Sequence, residues 1–379
     1  MQINEFIGID CLNQITEIIK SENIQNIFLV TGKKSFENSG AKEKLDELIK
    51  NLNITHYFDF EVNPKFEDVL KGIDLFKQNN CELIISCGGG SAMDIAKSIS
   101  ILSSQKETNL RETVIKNSII EDNKYTHIAI PTTAGSGSEV THFGVIYVNN
   151  KKYSLTHKSM KPNFYFLDPS LLMSNSEYQK ATSGIDAFSQ AIESFWSVNS
   201  NTESIEYSIK AIELLWHNLE DAVKTPTIEN LQKIFLGSNY AGKAINIAKT
   251  TASHSISYPI TTFFKISHGH AVYLTIPEMF YFNSNITEKD CNDKRGVNYV
   301  KEKMKKLQQM FGGNSFLEAK QNLELFGKNL NLENLLSNLG INRENINLII
   351  QNGFNPQRVK NNPRYLNEEN LKTILEKIY

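Results

Sequence analysis

The sequence predicts an α/β domain built on a mostly parallel sheet, followed by an all-helical domain. Short apolar runs at residues 26–31, 83–87, 128–131 and 164–167 alternate with helical periodicity at 11–20, 41–51 and 66–78. Runs that are apolar throughout, rather than at every second residue, suit strands covered by helices on both faces. From residue 176 strand candidates almost vanish, and helical periodicity dominates at 185–198, 202–223, 228–247 and 301–310. The expected domains are therefore 1–175 and 176–379.

Each strand candidate ends in a turn signal. The run NIFLVT stops at Gly32 and Lys33, and LIISC leads directly into Gly88, Gly89 and Gly90. Residues 128–131 open a Ser/Gly-rich turn, and 164–167 close the series before Asp168 and Pro169. Beyond Leu317 the chain reads as polar helical material with Asn-rich turns, and it shows no internal repeat and no low-complexity linker.

Composition narrows the classes of function. Of 379 residues, 40% are hydrophobic and 22% charged, which suits a globular chain and excludes disorder as the dominant state. A formal net charge of −2 provides no global field for nucleic acid or an anionic membrane. No apolar run reaches the roughly 18 residues a membrane span requires. The opening MQINEFIGID lacks the basic stretch and apolar core of a signal peptide. Cys11, Cys81, Cys87 and Cys291 show no paired spacing, which suits reduced thiols and a cytoplasmic protein.

Two loops carry chemistry. Gly88 to Ser91 follow a buried strand and open a helix, where glycines let a ligand approach and exposed N–H groups attract phosphate. The spacing is not GxGxxG, so alone it reads equally as a phosphate cradle or a tight structural turn. The turn PTTAGSGSE (131–139) repeats the theme with hydroxyls, and two such loops at strand ends favour a cofactor site.

Together with Asn63-Pro64 before a helix, the segments GGGSAMDIAKS, PTTAGSGSEVT, GIDAFSQAIES (184–194) and HGHAVYLTIP (268–277) resemble the iron-containing (group III) alcohol dehydrogenase family. The likeness covers nearly the whole chain in the family's order. It implies a Rossmann-like N-terminal domain and a helical C-terminal domain, the dehydroquinate synthase-like architecture, with the active site in the cleft between them. It also implies a nicotinamide cofactor near Gly32, Lys33, Asn63, Gly89, Gly90, Ser91, Asp94, Thr132, Thr133, Ser136 and Lys152.

Family members that prefer NAD usually carry an acidic residue after the first strand, to hold the adenosine ribose. The matching position here is Gly32, followed by Lys33 and Lys34. Without the carboxylate a 2′-phosphate is not repelled, and an ammonium attracts it, so NADP(H) is expected over NAD(H). The bland alternative is a turn glycine beside solvated lysines.

The family's metal set of one Asp and three His maps onto Asp186, Gln190, His254 and His268, with Gln190 standing where a histidine is expected. An amide oxygen is a weaker ligand than imidazole. A divalent ion, iron or zinc, is expected on Asp186, His254 and His268, with Gln190 as fourth ligand or bridging through water; loss of the metal is the alternative. Tyr258 stands where many relatives have histidine, and either hydrogen-bonds the reacting oxygen or packs in the cleft. His270 is read as a proton carrier or an anion contact, against a surface histidine. His268, Tyr258 and His270 are the catalytic candidates.

GIDAFSQAIESFWS, SHGHAV and the tail NPQRVKNNPRYLNEENL resemble the phosphonoacetaldehyde reductase branch. That likeness implies NAD(P)H-dependent reduction of phosphonoacetaldehyde to 2-hydroxyethylphosphonate by direct hydride transfer, and hence cationic groups for a small anionic aldehyde. His142, Lys158, Lys265 and Arg364 are the candidates for those groups. A different short-chain aldehyde or semialdehyde is the first alternative, and a non-catalytic cofactor-binding descendant the second. Family analogy also suggests a homodimer.

Overall fold

A computed structural model describes residues 4–106, 109–149 and 151–379. The first three residues of the N-terminal stretch read above lie outside the described residues. The chain divides into two compact units, Met1–Asn175 with Thr227–Phe235, and Ser176–Pro226 with Leu236–Tyr379.

The first unit holds eight strands among the described residues: β1 (Asn4–Ile7), β2 (Asn26–Thr31), β3 (Asn53–Tyr57), β4 (Leu83–Gly88), β5 (Thr126–Pro131), β6 (Phe143–Val148), β7 (Lys151–Thr156) and β8 (Phe164–Leu167). Six form one sheet in the order β1-β8-β5-β4-β2-β3, with every neighbouring pair parallel. The continuous apolar runs have the expected cause. Ile27 and Leu29 of β2 pack with the helices Ile15–Ser21 and Ala41–Ile49. Phe28 and Val30 face the opposite layer, with Phe66–Gln78 and Gly90–Ser103. Neither face of β2 meets water, so both parities of residue are apolar.

Four strands escape the sequence reading. The edge strand β3 carries NITHY, mostly exposed with only Tyr57 buried, so no apolar run marks it. The short edge strand β1 is likewise mostly exposed. The pair β6 and β7 forms a separate antiparallel hairpin, and β6 alternates half-buried and buried residues, a period of two that the reading passed over. Strand order reverses direction at β2 and β4, whose carboxyl ends carry Gly32 and Gly88. In open parallel sheets, ligands bind at such a point.

The second unit is helical. Its helices include Glu177–Trp196, Thr202–Lys224, Ala252–Phe264, His268–Tyr273, Ile276–Ser284, Val297–Phe311, Phe316–Asn329, Asn345–Gly353 and Glu368–Lys377. The first begins eight residues before the predicted 185, because Ser176 caps it by accepting a hydrogen bond from the Gln179 amide at 3.2 Å. In Thr202–Lys224 the buried positions 204, 208, 211, 212, 215, 219, 222 and 223 form one stripe at helical spacing. That stripe meets Glu177–Trp196 closely at Gly184, where a Cβ would stand 2.2 Å from a Leu219 methyl. No helix among the described residues is long and apolar enough to cross a membrane.

Candidate functional site

The second unit gathers a polar cluster from three helices. Asp186, Gln190 and Glu193 lie at i, i+4 and i+7 on Glu177–Trp196, one buried face of one helix. His254 stands near the start of Ala252–Phe264, and His268 opens His268–Tyr273. The last helix comes in close because residue 269 is glycine. A Cβ there would sit 1.9 Å from the Thr182 carbonyl oxygen and 2.7 Å from the Asp186 Cβ.

Asp186 Oδ1 lies 3.4 Å from His254 Nε2 and 3.9 Å from His268 Nε2. One ligand atom from each of Asp186, His254 and His268 falls within 4.8 Å of the others. Asp186 Oδ1, Gln190 Oε1 and His254 Nε2 are all buried without a hydrogen-bond partner. Buried polar atoms left unpaired are costly, and three together mark a place for a cation. Two atoms each about 2.1 Å from one ion stand about 3.4 Å apart at a tetrahedral angle; Asp186 Oδ1 and His254 Nε2 have that separation, and His268 Nε2 lies farther out, 3.9 Å from Oδ1. Gln190 turns its amide nitrogen to Asp186 Oδ2 at 3.1 Å, which leaves its own oxygen as the unpaired atom.

Glu193 was not singled out in the sequence. Its fully buried carboxylate accepts from the Thr251 amide at 3.1 Å, the Thr251 hydroxyl at 2.7 Å, the Ser253 amide at 2.8 Å and His254 Nδ1 at 2.5 Å. The bond to Nδ1 directs His254 Nε2 at Asp186, the carboxylate–histidine arrangement that orients metal ligands. Burial opposes charge throughout. Against it, His254 and His268 hold the Asp186 carboxyl below its usual range, and His254 and Thr251 do the same for Glu193. Burial likewise disfavours charge on His254, but Glu193 and Asp186 prevail and push it up to about 9.

Tyr258 lies one helical turn beyond His254. Its ring is parallel to that of His268, with 5° between planes and 5.9 Å between centroids. His270 is placed differently. Its Nε2 lies 2.7 Å from the Glu333 carbonyl oxygen and its Nδ1 3.5 Å from the Tyr178 hydroxyl, and burial lowers its pKa. Residues i and i+2 of a helix point about 200° apart, so His268 and His270 cannot share a face of their helix. Its Nε2–H donates to the Glu333 carbonyl and so ties the helix His268–Tyr273 to that residue.

In the first unit the two loops meet at the carboxyl ends of β4 and β5. Gly88 adopts φ +156°, where a Cβ would stand 2.9 Å from the Ala92 Cβ and 3.3 Å from the Gly32 nitrogen. At Gly89 a Cβ would lie 3.4 Å from Thr133 Oγ1, and at Gly90 3.0 Å from Ser136 Oγ. These glycines therefore let the second loop approach the first. No side chain caps the helix Gly90–Ser103; the Ala92 amide already donates to the Gly89 carbonyl at 3.1 Å, and the amides of Gly90 and Ser91 head the helix, where an anion is favoured. The Thr132 hydroxyl, also buried, has no hydrogen-bond partner. These features fit a phosphate-bearing ligand.

The other cofactor candidates take varied places. Asp94 accepts from the Ser138 hydroxyl at 2.7 Å and the Val145 amide at 3.0 Å, which joins the second loop to β6. Ser91 donates its hydroxyl to the Val62 carbonyl, and Asn63 is exposed before the helix Phe66–Gln78. Lys33 pairs with Asp59 at 3.1 Å, both exposed, and Lys152 lies in β7 opposite Tyr147. At Gly32 a Cβ would meet Ser35 Oγ at 2.2 Å. The sequence reading missed Lys97, whose fully buried ammonium donates to Ser138 Oγ at 2.7 Å, Thr141 Oγ1 at 2.9 Å and the Phe143 carbonyl at 2.9 Å. Burial lowers its pKa to about 8.

A family description of iron-containing alcohol dehydrogenase matches residues 4–169, and its C-terminal counterpart, the Fe-containing alcohol dehydrogenase family, matches residues 180–379. The chain belongs to the iron-containing alcohol dehydrogenase family. Among relatives, an aldehyde-alcohol dehydrogenase of Streptococcus pneumoniae is 29% identical over 72% of this chain and 32% of its own length. The chain thus spans about a third of the length of that relative. A phosphonoacetaldehyde reductase of Streptomyces viridochromogenes is 30% identical over 61% of each chain. A solved structure of sulfoacetaldehyde reductase from Bifidobacterium kashiwanohense, in complex with NAD+, superposes with a TM-score of 0.87 at 25% identity, covering 99% of this chain and 96% of that one. The parallel sheet and helical second part are those of the iron-containing alcohol dehydrogenase fold.

Proposed function

We propose that this family member is an NAD(P)H-dependent reductase of a short anionic aldehyde, with phosphonoacetaldehyde as the preferred candidate. The observation that carries the reading is the convergence of unpaired Asp186 Oδ1, Gln190 Oε1 and His254 Nε2 beside His268. Asp186, His254 and His268 hold a divalent ion, iron or zinc, with Gln190 as the weaker fourth ligand. When bound, such an ion polarises a carbonyl oxygen as a Lewis acid.

The chain's own residues supply the rest. Glu193 fixes the His254 ring so that Nε2 stays directed at Asp186. His268 takes its orientation from Ser257 Oγ, 3.3 Å from Nδ1, and from the parallel Tyr258 ring. Tyr258 places a phenol beside that ligand, suited to orient or protonate the developing alkoxide. The uncapped start of Gly90–Ser103 and the Thr132 hydroxyl suit the cofactor's pyrophosphate. The reductases of phosphonoacetaldehyde and sulfoacetaldehyde among the relatives support a two-carbon aldehyde with a tetrahedral anion.

NADPH is the preferred reductant in this reading, because residue 32 carries no carboxylate. The exposed Lys33–Asp59 pair is worth little and can yield to a 2′-phosphate. The test is initial-rate oxidation of NADPH and NADH with phosphonoacetaldehyde, sulfoacetaldehyde and uncharged aldehydes, before and after chelation. Chelator-sensitive turnover favouring an anionic aldehyde and NADPH supports the whole reading. Activity on uncharged aldehydes alone removes the substrate assignment, and equal rates with NADH remove the NADPH preference.

A further inference from the structure

Arg358 stands in an unusual environment. Three of the chain's five arginines are paired with carboxylates: Arg111 with Glu67, Arg295 with Asp293 and Arg364 with Asp290. Arg343 is exposed. Arg358 is half-buried, and among the described residues no carboxylate lies within ion-pair distance of it. Among the described residues its hydrogen bond runs from Nη1 to the neutral Thr250 hydroxyl at 3.1 Å.

Its position relates directly to the cluster. The guanidinium carbon lies 5.3 Å from the centroid of the Tyr258 ring, and that ring lies 5.9 Å from His268. Arg358 is therefore no farther from the His268 ring than those two distances together. The short helix Pro356–Val359 that carries it is anchored at both ends. The Asn355 amide donates to Ser255 Oγ at 3.3 Å, and Asn361 Nδ2 donates to the Thr250 carbonyl at 3.1 Å. A second cation stands close by: Lys249 holds a left-handed backbone, φ +63°, next to Thr250. Burial first, and then the Arg358 guanidinium, keeps its ammonium below the usual range, so the two cations share one field.

Resting on the reductase reading above, we propose that Arg358, with Lys249 beside it, forms the subsite that receives the tetrahedral anionic group of the aldehyde, while the carbonyl end faces Asp186, His254 and His268. A two-carbon aldehyde with a terminal anion is a short ligand, so its two ends need groups that stand near each other. With bonds of about 1.5 Å, a carbonyl oxygen and an anionic group one methylene away lie within about 5 Å of each other. A planar guanidinium offers paired N–H donors to a phosphonate or sulfonate, and the ring of Tyr258 holds it in place. Two of the earlier candidates are less suited. Arg364 is occupied by Asp290 Oδ2 and the Phe282 carbonyl, both at 2.7 Å, and Lys265 is exposed and donates to the Thr262 carbonyl at 2.9 Å.

The experiment compares wild type, Arg358→Gln and Arg358→Lys in steady-state reduction of phosphonoacetaldehyde and propanal, with KM for NADPH measured alongside. Binding of methylphosphonate is followed by calorimetry on the same proteins. In Arg358→Gln the kcat/KM ratio of phosphonoacetaldehyde over propanal is expected to fall about 10- to 100-fold through a raised KM, with methylphosphonate binding weakened in parallel. Arg358→Lys is expected between the two. An unchanged ratio overturns the proposal, and so does a raised KM for NADPH alone, which would place a cofactor phosphate at Arg358. If wild type reduces no aldehyde, the reductase reading fails and calorimetry decides the subsite. Methylphosphonate binding lost in Arg358→Gln sustains it, and no binding by wild type overturns it. If Arg358→Gln does not fold, Lys249→Gln gives the same comparison.

Discussion

Replacing Glu193 with glutamine tests whether the cluster is organised for a cation. Oε1 of Glu193 accepts from the Thr251 hydroxyl and the Ser253 amide, and Oε2 from the Thr251 amide and His254 Nδ1. An amide offers one acceptor oxygen, so its NH2 must face a backbone N–H whichever way it turns. At least two bonds to a charged acceptor are lost and one buried donor is orphaned, a cost of about 3–6 kcal/mol. His254 simultaneously loses the carboxylate that orients it, and altered partners behind a ligand weaken metal binding about 10- to 100-fold. Glu193→Gln is expected to show both effects, in zinc affinity measured by competition with a chelating dye and in a thermal melt of the metal-free protein. Affinity and melting equal to the parent would refute the argument, since the four bonds would then contribute nothing.

Gly269→Ala is expected to abolish zinc binding and cost about 3 kcal/mol or more, because its Cβ would meet the Thr182 carbonyl at 1.9 Å, a backbone atom that cannot swing away; the dye competition and a melt check it. Gln190→His supplies imidazole in place of an amide and is expected to tighten zinc about tenfold, whereas an unchanged affinity would remove residue 190 from the ligand set. Lys97 gives a pH signature. Its pKa is about 8 in the fold and 10.5 when unperturbed, so the unfolded chain binds more protons in that window and stability rises with pH across it. Lys97→Met is expected to lose that rise in denaturation midpoints measured from pH 7.5 to 10.5, although its three vacated acceptors lower stability at every pH.

How much of this was legible in the sequence follows from what each residue touches. Strands β2, β4, β5 and β8 are interior or face-covered, so their apolar runs announce them. The exposed β3 carries no pattern strong enough to register. Asp186, His254 and His268 were found through motif likeness, because their spacing along the chain, 68 residues between Asp186 and His254, encodes no geometry by itself. Glu193 was missed for the opposite reason. A glutamate within a motif reads as solvated, and only its place on the buried stripe of 186, 190 and 193 marks it as a carboxylate that must have partners.

The misplacement of His270 and the neglect of Arg358 share a physical cause. Its place two residues beyond His268 made His270 a candidate proton carrier or anion contact, but helical geometry turns the two rings apart and assigns Nε2 of His270 to the Glu333 carbonyl. Arg358 lies 90 residues from His268, in a polar tail that carries no periodic signal, yet Tyr258 links them through two ring contacts. In the proposal above Tyr258 also acts as a spacer, with the His268 ring parallel to its own and the Arg358 guanidinium 5.3 Å from its centroid. Relatives with histidine at this position would have a smaller ring in the same place. Exchanging Tyr258 for histidine is therefore expected to weaken discrimination between anionic and uncharged aldehydes more than it alters zinc affinity. Equal loss of both would show that Tyr258 acts on the cluster alone.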